Sequence, residues 1–164
     1  MDWSAFKRNE DGVVAIEFAF LAIPFFLTLL AIMEIALVLT AAMQFEHAVN
    51  RVSRRIMTGE TQHEQAAIRK DLCGEIVLNI DCASMRIDYK EIANVSQFNL
   101  PSPLKNKRVN EEAFTFKTLD ERSFASLRVG YEWPLVIGPI ATFLSNLDNG
   151  KLLLVSTDLI RIEK

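Results

Sequence analysis

The sequence lacks the short motifs by which common enzyme classes are recognised. It has no phosphate-binding loop, no glycine-rich dinucleotide turn and no Gly-x-Ser-x-Gly elbow around a nucleophilic serine. Its two histidines, His47 and His63, are far apart in the chain, and we interpret both as surface residues. We therefore expect no catalytic residue, no cofactor and no enzymatic activity.

An excess of positive charge is also absent. The 164 residues include 18 Lys and Arg against 21 Asp and Glu, which gives a formal net charge of -3. Proteins that bind nucleic acid carry basic patches that neutralise phosphate groups. The composition therefore predicts no nucleic-acid partner.

Cysteine is scarce, and the two residues present, Cys73 and Cys82, lie close together in sequence. A zinc site would need further Cys or His ligands nearby, and neither histidine is near this pair. A cysteine pair in an oxidising compartment is instead typical of one disulfide. The sequence predicts a Cys73–Cys82 disulfide and no metal site.

One long apolar run dominates the N-terminal part of the chain. It extends from Val13 to Met43 and is interrupted by the polar residues Glu17, Thr28, Glu34 and Thr40. A transmembrane helix needs about 20 predominantly apolar residues. A secretory signal has an apolar core of only about 7–15 residues, followed by a small-residue cleavage site. The run therefore predicts a helix that crosses a membrane in contact with lipid.

Two carboxylates inside this run are candidate functional residues, because a charge at the centre of a bilayer costs about 2.5–3.5 kcal/mol on insertion scales. Glu17 lies near the start of the run, and Glu34 lies about 25 Å farther along a straight helix. Two interpretations of Glu34 remain open. It is either a residue at the level of the lipid headgroups or an intramembrane contact to a partner helix.

The helix is expected to continue beyond the membrane. Apolar residues recur at three- and four-residue steps from Phe45 to Ile56, and Thr58-Gly59 is a stop signal. A second helix is predicted over 61–78, with Thr61 as its N-cap. Its predicted apolar stripe consists of Ala67, Ile68, Leu72, Ile76 and Val77.

The remaining chain alternates in the manner of half-buried strands. Strands are predicted over 84–98, 124–136 and 151–163. The prolines and charges of 99–108 predict a loop, and Pro139 with the apolar spacing after it predicts a short helix within 137–147. The fold class is therefore α+β, with a long N-terminal helix, a second helix and a small antiparallel sheet.

The start of the apolar run has a specific spacing. Gly12 is followed by four apolar residues and then by Glu17 and Phe18. This pattern resembles the processing site of type IV prepilins, in which a membrane peptidase cuts after the glycine and the glutamate helps to register neighbouring subunits. The resemblance implies cleavage between Gly12 and Val13, assembly roles for Glu17 and Phe18, and a prepilin peptidase as partner.

The wider pattern of 11–26 is similar to the TadE and TadF proteins of the tight-adherence (Tad/Flp) pilus system, and to the related TadG. The cysteine segment and the ending Arg161-Ile162-Glu163 share this similarity, whereas the acidic pair Glu10-Asp11 departs from the pattern. The resemblance implies a minor pilin or pseudopilin-like subunit that acts in pilus biogenesis and surface adhesion. Its implied partners are other pilin-like subunits and the inner-membrane assembly platform.

The expected organisation is a cytoplasmic leader (1–12), a transmembrane helix (13–43) and a periplasmic α+β domain (44–164), in which 44–58 extend the helix. Lys and Arg counts on the two sides of the run do not fix the orientation. The resemblance and the cysteine pair predict a single-pass protein of the bacterial inner membrane with a cytoplasmic N-terminus. The alternative is an uncleaved anchor that carries a periplasmic binding or scaffold module of another secretion complex.

Overall fold

A computed structural model describes residues 11–78, 80–92, 100–117 and 124–162. The first element is one long helix, α1, which spans Asp11–Thr58 and continues through Pro24. At about 1.5 Å per residue, α1 is about 72 Å long. Gly59 follows it with a φ of 75°, a left-handed conformation that glycine adopts without steric cost. The predicted end of the helix at Thr58-Gly59 is confirmed.

The second helix, α2, spans Gln65–Glu75 and is shorter than the predicted 61–78. The Thr61 hydroxyl donates to the Asp71 carboxylate instead of capping the helix, and α2 begins after Glu64 without a side-chain cap. The backbone becomes extended at Ile76. Val77, predicted to belong to the apolar stripe, is instead 90% exposed, because the helix has already ended at this position.

After α2 the described chain forms five strands and one further helix. In order they are β1 (Arg86–Ile92), β2 (Leu104–Lys105), β3 (Arg108–Val109), β4 (Phe124–Trp133), α3 (Gly138–Leu144) and β5 (Leu152–Arg161). A three-stranded antiparallel sheet has the order β1-β4-β5, so β4 is its central strand. We call the described residues from 59 to 162 the head. The predicted α+β fold is confirmed.

One face of the sheet packs against α1, and α2 packs on the same helix. Of the β4 residues that alternation predicts on one face, Leu127, Val129 and Tyr131 are buried, and Trp133 is partly buried against the same core. The hydrophobic core is built from elements that are far apart in the chain. Its members include Phe45, Val49, Val52 and Ile56 of α1, Ile68 and Leu72 of α2, Ile87 and Tyr89 of β1, and Ile160 and Ile162 at the C-terminal end. The C-terminal half of α1 is therefore part of the globular core.

The segment 99–108 was predicted to be a loop, but its described part contains the hairpin β2-β3. Asn106 and Lys107 form the two-residue turn with φ values of 53° and 56°. Turns with positive φ at both central positions match the twist of paired strands, and Asn tolerates this conformation. The prediction was wrong because two-residue strands are too short to show alternation.

Residues 100–117, which we call the strap, lie over the second face of the sheet at β1 and β4, whereas Val155 and Leu159 of β5 are exposed on that face. Backbone bonds between Tyr89 and the strap residues Thr115 and Lys117 attach it to the edge of β1. A Cβ on Gly130 of β4 would lie 2.7 Å from the Phe114 ring, so the strap approaches this strand as closely as glycine allows. This explains why both faces of β4 are buried, whereas alternation predicted one exposed face.

Candidate functional site: the membrane helix and its junction with the head

The residues of the predicted processing site lie in the first two turns of α1. Val13 and Glu17 are four positions apart and therefore lie on the same face of the helix. Both side chains, and that of Phe18, are exposed. A Cβ on Gly12 would meet nothing within 4 Å among the described residues. Packing there does not require glycine, which costs about 1 kcal/mol relative to alanine inside a helix.

The first half of α1 is predominantly apolar and has few neighbours in the described part of the chain. The large apolar side chains between Val13 and Met33 are exposed. A helix buried in a soluble core would instead have these side chains covered. Among the described residues, α1 is the one helix long and apolar enough to cross a membrane. Its length, composition and exposure together match a membrane anchor.

Glu34 joins α1 to the head. Its side chain is buried, with 5% of its surface exposed. One carboxylate oxygen accepts a hydrogen bond of 2.7 Å from the backbone N–H of Val136, and the other accepts one of 2.9 Å from that of Ile137. Glu34 therefore contacts the chain's own head, which neither sequence interpretation anticipated.

The contacts of the head with α1 begin at Glu34, nine positions before the predicted end of the membrane segment at Met43. The buried apolar positions that follow have helical spacing: Ala41, Phe45, Ala48, Val49, Val52 and Ile56. Ile35, Leu37, Leu39 and Met43 are also exposed, so the apolar surface of α1 continues past Glu34. The part of α1 that precedes the Glu34 contact is 13–33. It is about 31 Å long at 1.5 Å per residue, close to the hydrocarbon thickness of about 30 Å.

Cys73 of α2 and Cys82, the first residue of a short 3-10 turn, form the predicted disulfide, with 6.0 Å between their Cα atoms. Arg69 supports this link, because its guanidinium donates to the carbonyl oxygens of Cys82 and Met85 at 2.7 and 2.8 Å. In the described ranges no three His, Cys, Asp or Glu residues are placed to hold a metal ion. The disulfide and the Arg69 hydrogen bonds therefore link α2 to the segment that leads into β1.

Comparison with known proteins identifies the N-terminal segment. Residues 12–54 match the family described as TadE-like protein. The matched segment begins at the predicted processing glycine and includes the uncovered membrane helix, Glu34 and most of the helix surface under the head. It comprises 43 of the 164 residues. No curated protein and no solved structure matches the chain.

Two salt bridges connect α1, at and just beyond the end of the TadE-like segment, to α2. The guanidinium of Arg51 lies 2.7 Å from one carboxylate oxygen of Glu75, and the guanidinium of Arg55 contacts the other. Glu75 is the last residue of α2 and is mostly buried. The pairs add to the apolar contact between the two helices and hold α2 in a defined position on α1.

A buried ion pair lies between the sheet and the strap. Asp88 of β1 and Arg128 of β4 occupy directly paired positions, are 0% and 3% exposed, and approach to 3.0 Å. Arg128 also donates to the carbonyl oxygens of Pro101, at 2.7 Å, and of Ala113. Asp88 accepts from the backbone N–H of Thr115 at 3.1 Å. The pair therefore fastens both ends of the strap to the sheet.

The sequence pattern missed this pair. It placed Asp88 among the polar residues that alternate with Met85, Ile87 and Tyr89, and so predicted an exposed side chain. That prediction was wrong, because the strap covers the face on which Asp88 lies. The one indication of the pair in the sequence is Arg128, which lies between apolar residues of β4. An arginine on a solvent-exposed face of the strand would give the same sequence pattern.

Two titratable groups of the head are shifted from their ordinary pKa values. Burial raises the pKa of Tyr89 to about 12, and its hydroxyl lies 2.7 Å from Nδ1 of His63. His63 was interpreted as a surface residue but is half-buried in this contact. For Glu132, partial burial favours the neutral form, but a hydrogen bond from Asn149 and the charges of Arg86 and Lys151 hold its pKa below the usual value. At neutral pH these groups stabilise the head as a protonated phenol and a paired carboxylate.

Proposed function

We propose that the chain is a minor pilin or pseudopilin-like structural subunit of a Tad/Flp-type pilus assembly system. The observation that carries this proposal is the TadE-like segment, 12–54, on a helix with two distinct halves. The first half is uncovered over a membrane thickness, and the second half forms the core of a disulfide-bonded head. Such a subunit stands in a membrane before assembly and packs against other helices afterwards.

The proposed subunit enters the bacterial inner membrane with its N-terminus in the cytoplasm and its head in the periplasm. A disulfide in the head fits an oxidising compartment. A prepilin peptidase then cuts between Gly12 and Val13. The absence of any packing requirement at Gly12 supports this step, because the peptidase supplies a reason for glycine that the fold does not.

Cleavage creates a positively charged amino group on Val13 at the edge of the membrane. Glu17, one helical turn away, is placed to neutralise that amine in its own chain or in a neighbouring pilin-like chain. Phe18 adds an exposed ring beside it for helix–helix packing. The partners of this surface are other pilin-like subunits and the inner-membrane assembly platform, and the assembled pilus acts in surface adhesion.

A second candidate function is favoured by the acidic residues beside Gly12, Glu10 and Asp11, which depart from the prepilin-like pattern. In this alternative the chain remains uncleaved and anchors a periplasmic binding or scaffold module of another secretion complex. The two candidates differ in the mature N-terminus and in whether Glu17 has a function.

Deletion of the gene is expected to reduce the number of surface pili strongly, because a minor subunit that initiates assembly acts before the major pilin polymerises. Surface pili are counted by electron microscopy in the deletion strain, with and without a plasmid that restores the wild-type chain. A plasmid carrying Gln62→Ala, a change at an exposed head position, serves as the matched control and should restore pili fully. Unchanged pili in the deletion strain would contradict the proposal.

A further inference from the structure

The segment 134–144, which we call the junction segment, connects β4 to α3 and includes α3 itself. It contains no charged residue, and its sequence is Pro-Leu-Val-Ile-Gly-Pro-Ile-Ala-Thr-Phe-Leu. Val136 and Phe143 project from it with 83% and 89% of their surfaces exposed. These side chains contribute little to the core of the head, so folding does not account for their apolar character.

The position of this segment along α1 is set by Glu34. Its carboxylate accepts hydrogen bonds from the backbone N–H groups of Val136 and Ile137, so the start of the junction segment lies level with residue 34 of α1. The part of α1 that precedes this contact, 13–33, is about as long as the hydrocarbon layer is thick. If Val13 lies at one boundary of that layer, Glu34 and the start of the junction segment lie at the other.

We propose that the junction segment is a second membrane-contacting element, which places Val136 and Phe143 among the lipid headgroups and upper acyl chains. The proposal rests on the proposed function only in treating 13–33 as a membrane span. Lipid is the favoured occupant because the exposed apolar surface of α1 continues into the junction segment at the depth where the bilayer ends. Helices that lie at this boundary bury the face that carries their large apolar side chains by about 5–10 Å.

The arrangement gives Glu34 a specific role. Its carboxylate lies where a charge costs less than at the bilayer centre, and its oxygens pair with two backbone N–H groups that would otherwise be unsatisfied near lipid. The head is thereby held to the membrane at two places, the span and the junction segment. Both its depth and its rotation about α1 are defined before assembly, and extraction into a fibre must detach the junction segment from lipid.

Spin labels on single introduced cysteines test this proposal in the full chain reconstituted at low density in phosphatidylcholine vesicles. The disulfide occupies both native cysteines, so Phe143→Cys provides one reactive thiol. Val77→Cys is the matched control, because Val77 is 90% exposed and the next residue, Leu78, bonds to Gln44, about 15 Å beyond Glu34 along α1. Phe20→Cys reports on the span itself. Two collision rates are measured for each label. One is with oxygen, which partitions into lipid, and the other is with a water-soluble nickel chelate.

The expected result is an oxygen-to-nickel collision ratio at position 143 that is several-fold higher than at position 77. An equal ratio at the two positions would overturn the proposal, and so would a label at 143 shielded from both reagents, which would mark a protein contact. The label at position 20 separates two failures. A lipid-exposed label at 20 with a water-exposed label at 143 overturns this inference alone, whereas a water-exposed label at 20 overturns the membrane span and the proposed function with it.

Discussion

Glu17→Gln is expected to leave membrane insertion intact and to reduce surface pili strongly. The substitution removes a charge from the apolar run, so insertion becomes no more costly. After cleavage, however, Val13 carries an α-amino group, which has an unperturbed pKa of about 8 and is largely protonated at neutral pH. Without the Glu17 carboxylate this charge loses its partner in a medium of low dielectric constant. An unpaired charge there costs several kcal/mol more than a paired one, so assembly should weaken.

The measurement combines surface pilus counts with co-purification of other pilin-like subunits, at equal membrane abundance of the variants. Glu46→Gln is the matched control, because it is the same substitution on the same helix. Glu46 is exposed and lies beyond the span. Glu46→Gln should behave like the wild type. Wild-type pili and co-purification in Glu17→Gln would show that Glu17 is a tolerated interfacial charge with no role in register.

Arg128→Met is expected to destabilise the head by about 3 kcal/mol, the lower end of the cost of breaking a buried ion pair. The substitution removes the buried cationic partner of Asp88 and leaves Lys90, whose Nζ lies 3.2 Å from the carboxylate, as its remaining cation. It also removes the donors that hold the strap residues Pro101 and Ala113. The double variant Asp88→Asn/Arg128→Met should recover part of the loss, since no net charge remains buried. The net contribution of the ion pair to the free energy of unfolding is therefore smaller than the loss caused by removing Arg128 alone.

Unfolding of the full chain in detergent micelles, followed by near-ultraviolet circular dichroism against urea, measures these differences. Arg108→Met is the control, because the Arg108–Asp148 pair is exposed and exposed pairs contribute about 0–1 kcal/mol. If Arg128→Met shifts the unfolding midpoint no more than Arg108→Met, the buried pair does not fasten the strap.

Local patterns predicted the elements that local interactions define. The C-terminal end of α1 followed from Thr58-Gly59, and the predominantly apolar run 13–43 lies within this helix as predicted. Period-two alternation located β1, β4 and β5. The turn before α2 was less predictable, because the Thr61 hydroxyl had a competing partner in Asp71 that only the folded chain brings near.

Contacts between distant parts of the chain were not predictable in this way. Glu34 and the N–H of Val136 are 102 positions apart, and Asp88 and Arg128 are 40 positions apart. A carboxylate in an apolar run has the same local sequence whether it faces headgroups, another subunit or its own head. The predicted processing site, by contrast, rests on spacing alone, and the structure adds that packing among the described residues does not require Gly12.

The mature N-terminus is the most direct test of the pilin-like function. The chain is purified from membranes of a host with the cognate prepilin peptidase and of an otherwise identical host without it, and its N-terminus is determined by sequencing and intact mass. We expect Val13 as the first residue in the peptidase-positive host, and the uncleaved leader both in the peptidase-negative host and for Gly12→Leu. Met1 still attached to the wild-type chain in the peptidase-positive host would contradict the proposed function and favour the uncleaved anchor.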